Sequence, residues 1–155
     1  MVADCCKLYI RPWCEGLTTM YDTILAATDG SDAANRAVDH AIDLASSFDA
    51  DFHAIYVVDT TRYGQAVLSG SDGALEDLEQ RGEEILDDVA ARSDIDVTSE
   101  IRRGRPDEEI DTYAAAIAAD LVVLGNRGLG SGPDQQLGSI AERVVRNTGR
   151  PVITA

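Results

Sequence analysis

The 155-residue chain predicts an α/β fold, a parallel sheet with helices on both faces, and three observations point to it. From Tyr21 onward, short β-type runs alternate with longer stretches of helical periodicity. Two of the runs read as strands covered on both faces: TILAAT (23–28), apolar between its two threonines, and LVVLG (121–125), which is continuously apolar. The second opens into a glycine-rich turn followed by another helical pattern, the strand, loop and helix order of a parallel crossover.

TILAAT is the first strand. SDAANRAVDHAIDLASSF (31–48) follows as a helix, with Ala34, Ala37, Val38, Ala41, Ile42 and Ala45 on one face. FHAIYVV (52–58) is the second strand, and a polar loop spans about 59 to 72. The next helix runs from about Ala74 to Arg92, because Leu75, Leu78, Ile85, Leu86 and Val89 recur at core-facing spacing. IDVTSEI (95–101) alternates like a strand at a sheet edge. PDEEIDTYAAAIAA (106–119) is helical, with proline in its first turn and acids beside the positive end of its dipole. LVVLG, a helix beginning at Ser139 and a last strand PVITA (151–155) bring the count to five strands and four helices.

Residues 20–155 therefore read as one domain, and residues 1–19 as an N-terminal extension, a disordered arm or a misassigned start. All three cysteines, Cys5, Cys6 and Cys14, fall in that extension, at spacings that fit neither a disulfide framework nor a zinc site. It also lacks the unbroken apolar stretch of an export signal. No run approaches the length of a membrane span, since YAAAIAADLVVLG (113–125) is interrupted by Asp120.

The formal charge is −15, from 28 acids, 19 of them Asp, against 12 Arg and one Lys, Lys7. The acids are scattered, so they coat a folded surface rather than form a tail. Such a surface repels itself until salt screens it, which suggests a halophile's cytoplasm; an ordinary acidic protein kept in solution by its charge is the alternative. Nucleic acids and anionic membranes are excluded as partners, because no basic stripe exists to displace their counterions.

Lysine is absent after residue 7, which excludes a Walker A loop and a kinase-type lysine. The first strand–helix turn is TDGSDAA and carries no dinucleotide fingerprint. His40 and His53 lie inside a helix and a strand, away from strand carboxyl ends, so both read as structural. The chemistry that remains belongs to GNRGLGSGPDQQLGS (125–139), where glycines leave backbone N–H groups open to phosphates at the start of a helix. Asp29, at the end of the first strand, could accept from a ribose or hold a divalent ion; it could equally cap the first helix, a role for which Ser31 and Asp32 compete. Arg102, Arg103 and Arg105 are expected to pair with surface acids, whereas Arg127 sits inside the glycine loop within reach of phosphate.

Gly125, Gly128, Gly138 and Ser139 match G-x2-G-x9-G-[ST], and with ILAATDGSDAANRAVDHAIDLA, YVVD (56–59) and the Gly104–Pro106 turn the chain resembles the ATP-binding branch of the universal stress protein family. The resemblance covers residues 20–155 and implies a Rossmann-like, doubly wound sheet of order 3-2-1-4-5 in three α/β/α layers. It also implies a nucleotide site. Ala27, Thr28 and Asp29 would lie by the adenosine, Val57 would contact adenine through its main chain, Gly125 and Gly128 would approach ribose and phosphates, and Gly138, Ser139 and Ile140 would hold the phosphate chain. The implied ligand is ATP, with AMP or ADP as alternatives, and Mg2+ or Mn2+ could enter with it beside Asp29. Between Gly128 and Gly138 the stretch LGSGPDQQL departs from the basic, leucine-rich family pattern: Gly130, Gly132 and Pro133 imply a looser loop, and Asp134 adds a negative charge.

The function implied is that of a cytoplasmic stress-response or regulatory module, dimerising through 151–155, with at most slow ATP hydrolysis. An ATPase or nucleotidyl transferase on the same scaffold, and an interaction scaffold with an empty pocket, are the two alternatives.

Overall fold

The structure, a computed structural model, describes residues 20–62, 64, 72–128, 134 and 137–155. The expectations for 1–19 with its cysteines, and for Gly130, Gly132 and Pro133, lie outside the described residues. Five parallel strands, β1 (Thr23–Ala27), β2 (Asp51–Asp59), β3 (Val97–Gly104), β4 (Leu121–Leu124) and β5 (Val152–Thr154), form one sheet in the order β3-β2-β1-β4-β5. Four helices alternate with them: α1 (Asp32–Phe48), α2 (Asp72–Arg92), α3 (Pro106–Ala116) and α4 (Ser139–Asn147).

The period-2 geometry of the strands sorts their side chains into two cores. Ile24, Ala26, Phe52, Ala54, Tyr56 and Val123 meet Ala37, Val38, Ala41, Leu86 and Val89 of α1 and α2. Leu25, Ile55, Val122 and Leu124 meet Ile110, Tyr113, Ala141 and Val144 of α3 and α4. The arrangement is the expected three-layer α/β/α sheet. Asp120, which interrupts the apolar run in sequence, fastens β4 to β1: its Oδ2 accepts from the backbone N–H groups of Asp22 (2.8 Å) and Thr23 (3.0 Å).

One part of the expected fold is corrected. A fifth helical segment covers residues 60–62 and 64, inside what sequence reads as loop. Its cause is Asp59, whose Oδ1 accepts from the backbone N–H groups of Thr61 (3.0 Å) and Arg62 (3.2 Å) and from the Thr61 hydroxyl (2.6 Å), as an N-cap does. β3 also runs three residues beyond the expected end, to Gly104. Arg102 and Arg103 fit this edge strand because their stems lie on it while their heads find partners. The Arg102 guanidinium stands 4.9 Å from the centre of the Tyr113 ring, and Arg103 pairs with Glu79.

On the α3 side, His53 Nδ1 and the Tyr113 hydroxyl are 2.9 Å apart. Burial pushes the His53 pKa below its ordinary 6.5, against the opposing fields of Asp51 and Glu100. The unfolded chain therefore takes this proton more readily than the folded one. The stability contributed by neutral His53 is complete above about pH 6.5 and is lost as pH falls through the lowered folded value. Thermal unfolding midpoints between pH 7.5 and 5.5 should fall less steeply for His53→Gln than for the parent chain, and parallel slopes would contradict this.

Candidate functional site

From β1 the chain proceeds to β2 on one side, and from β4 to β5 on the other, so the loops that leave the adjacent strands β1 and β4 diverge. Such a reversal opens a crevice beyond the strand carboxyl ends. Here it is a cavity of about 580 Å³. Ala27, Thr28 and Asp29 line it from β1 and the following turn, Val57 from β2, Gly125, Arg127 and Gly128 from the turn after β4, and Gly138, Ser139 and Ile140 from the start of α4. All ten residues singled out in the sequence are thus brought to one cavity.

The turn after β1 is held by its own side chains. Thr28 is buried and donates its N–H to the Ile55 carbonyl at 3.0 Å, while its Oγ1 accepts from Gly30, which adopts φ +80. Of the three rivals for the N-cap of α1, Ser31 takes the role: its Oγ accepts from the Ala34 N–H at 3.2 Å. Asp29 instead braces the turn, its Oδ1 accepting from the Ser31 N–H at 2.9 Å.

The turn after β4 is pinned by Asn126. Its N–H donates to the Ala155 carbonyl (2.8 Å), and its own carbonyl accepts from the Gly138 N–H (2.6 Å), so Asn126 ties the two ends of the glycine loop to each other and to Ala155. Ser31 Oγ stands 3.5 Å from the Arg127 carbonyl, and a Cβ built at Gly128 would lie 3.0 Å from Asp29 Oδ2, so the two crevice loops touch. The Gly138 N–H is engaged, and the donors left at the mouth of α4 are the N–H groups of its first helical residues, Ser139 and Ile140, which have no intrahelical acceptor. No side chain caps this helix, because Gly138 occupies the cap position.

Five arginines line the same cavity: Arg62, Arg81, Arg105, Arg127 and Arg143. Arg102 and Arg103 pair with carboxylates as expected, Arg102 with Glu100 and Glu109, Arg103 with Glu79. Arg105 does both, meeting Glu108 at 2.7 Å and Asp107 at 3.5 Å while facing the cavity. Among the described residues there is no cluster of three or more His, Cys, Asp or Glu side chains placed to hold a metal ion, and no helix is long and apolar enough to cross a membrane.

The sequence profile of the universal stress protein family matches residues 20–155. The chain belongs to this family. A fellow universal stress protein, MJ0531 of Methanocaldococcus jannaschii, is 36% identical to it over 138 residues, covering 86% of this chain and 81% of that one. Among solved structures, hypothetical protein MJ0577 shares the fold with a TM-score of 0.79 at 23% identity, over 88% of this chain and 96% of the other. A universal stress protein crystallised in complex with cAMP aligns with a TM-score of 0.63 at 26% identity, over 87% and 96% of the two chains.

In this family member, sequence reasoning missed Asn126 and Asp107. Asn126 acts through its main chain, which no residue type announces. Asp107 is one of three acids in the first turn of α3, a pattern read as a helix-dipole effect, yet it is buried and lines the cavity. Arg62, Arg81 and Arg143 were also unmarked, since their convergence depends on tertiary packing.

Proposed function

We propose that this chain binds an adenine nucleotide, with ATP as the first candidate, and works as a nucleotide-dependent module in stress or regulatory responses. The observation that carries the proposal is the charge of the cavity. In a chain of net charge −15, five of the 12 arginines line this one site, against three carboxylates, Asp29, Asp59 and Asp107. An anionic ligand is the simplest reason to gather scarce cations where they would otherwise be dispersed among acids. The site also offers the helix N-terminus of α4 for phosphates and an apolar wall of Ile55, Val57, Ile110 and Leu124 for a base. The universal stress protein solved with cAMP supports a nucleotide as the class of ligand.

Mg2+ or Mn2+ would be carried in by the phosphates, with Asp29 as the protein carboxylate proposed to share it. Any ATP hydrolysis is proposed to be slow at most, since no lysine follows residue 7 and the loop after β4 is not a Walker A loop. The module is proposed to pair with a second copy through β5, which ends the strand order and, among the described residues, pairs with β4 alone.

Mass analysis of small molecules released from freshly purified protein, followed by calorimetric titration of the emptied protein with ATP, tests the reading. A co-purifying adenine nucleotide or saturable ATP binding is expected; the absence of both in low and in molar salt would overturn it.

A further inference from the structure

We infer that Asp107 accepts a hydrogen bond from the amino group of the ligand's base, and so selects for a base that carries one; the inference rests on the nucleotide reading above. Asp107 is 3% exposed and lines the cavity. Its Oδ2 lies 3.5 Å from Arg105 Nη2, and its Oδ1 lies 4.0 Å from Arg143 Nη1, beyond hydrogen-bond range, and has no hydrogen-bond partner. A buried acceptor without a donor is costly, and a ligand that brings the donor removes that cost.

The place of Asp107 in the fold decides which part of a nucleotide it would meet. Asp59 at the end of β2 pairs with Gly104 at the end of β3, and Pro106 and Asp107 follow within three residues, so this wall stands on the β2 side of the cavity, with Val57. The glycine loop and Arg127 follow β4, with β1 lying between β4 and β2. A carboxylate repels phosphates and attracts N–H groups, so the phosphates belong toward the α4 N-terminus and the base toward Asp107. Pro106 and Ile110 give this corner apolar surface that keeps water from competing for the bond. The Arg105 and Arg143 side chains that flank the carboxylate are 46% and 54% exposed, so they can turn toward an incoming anion and uncover Oδ1 for the base.

The test is calorimetric titration of the full chain with ATP and with purine riboside 5′-triphosphate, which lacks only the amino group. The parent chain should prefer ATP by about tenfold or more, as expected for one hydrogen bond to a charged acceptor. Asp107→Ala should weaken ATP to the level of the analogue and bring the ratio near one. Asp107→Asn, which keeps an acceptor oxygen without its charge, should lower the ratio at least threefold, and this arm decides if the alanine variant does not fold. An unchanged ratio in either folded variant, or equal binding of ATP and analogue by the parent chain, overturns the role of Asp107 and leaves nucleotide binding standing. If 2′-deoxyATP, rather than the analogue, loses its penalty in Asp107→Ala, the carboxylate reads the ribose and the inference also fails. Failure of the parent chain to bind either triphosphate overturns both readings.

Discussion

Gly138→Val is expected to abolish nucleotide binding while the chain stays folded. Gly138 has φ −67 and ψ 152, a conformation that a β-branched residue adopts without strain, and its N–H would still reach the Asn126 carbonyl. As the capping residue of α4 it contributes no side chain whose loss could matter. What changes is access. An isopropyl group at this cavity-lining position stands beside the N–H groups of Ser139 and Ile140, the donors proposed for the phosphates. Losing two charge-assisted hydrogen bonds, at roughly 1.5–3 kcal/mol each, corresponds to a fall in ATP affinity of about 100-fold or more. Titration with ATP, together with an unfolding midpoint within about 2 °C of the parent, on the order of 1 kcal/mol for a chain of this size, would bear this out. Unchanged affinity would remove the glycine loop from the site.

Gly125→Val should instead damage the fold. A Cβ built at Gly125 would lie 2.7 Å from the amide nitrogen of Ala34 and 2.9 Å from the carbonyl carbon of Ala33, both main-chain atoms in the first turn of α1. No rotamer relieves a clash at Cβ, so helix and strand must separate, and the buried contacts of Ala33, Ala34 and Ala37 loosen with them. We expect a loss of about 3 kcal/mol, or roughly 6–12 °C in unfolding midpoint, and most of it already in Gly125→Ala. A midpoint within about 2 °C of the parent for either variant would show that the helix yields cheaply. The first and third glycines of the motif are thus needed for different reasons, one for packing and the other for access.

That division was hidden in sequence, where Gly125 and Gly138 look alike, because the neighbour that makes Gly125 necessary lies some ninety residues away along the chain. The layers themselves were legible. The apolar runs at 24–27 in β1 and 121–124 in β4, and the apolar stripe of α1 from Ala34 to Ala45, leave few ways to bury what they carry. The helical segment after β2 was missed because its described residues, 60–62 and 64, are mostly polar and show no apolar stripe; only the Asp59 cap was visible, in a stretch rich in other polar residues. The far end of β3 was missed because Arg102 and Arg103 break the alternation, and two of their partners, Glu109 and Glu79, belong to other elements. The candidate site was legible where it follows a local motif, as in Thr28, Asp29 and the glycine loop. Asp107, Arg81 and Arg143 come together only once α2, α3 and α4 are packed on the sheet.

The concentration of guanidinium groups in one cleft of a strongly acidic molecule sets the far field against the near field. An approaching polyanion is first turned away by the protein as a whole and is drawn in only within a few ångströms of the arginines. Added electrolyte shortens the reach of both fields, to about 10 Å at 0.1 M and 3 Å at 1 M, and weakens the distant repulsion before the contact attraction. Encounter should therefore quicken, not slow, as a dilute solution becomes saline, the reverse of what a basic receptor shows toward the same ligand.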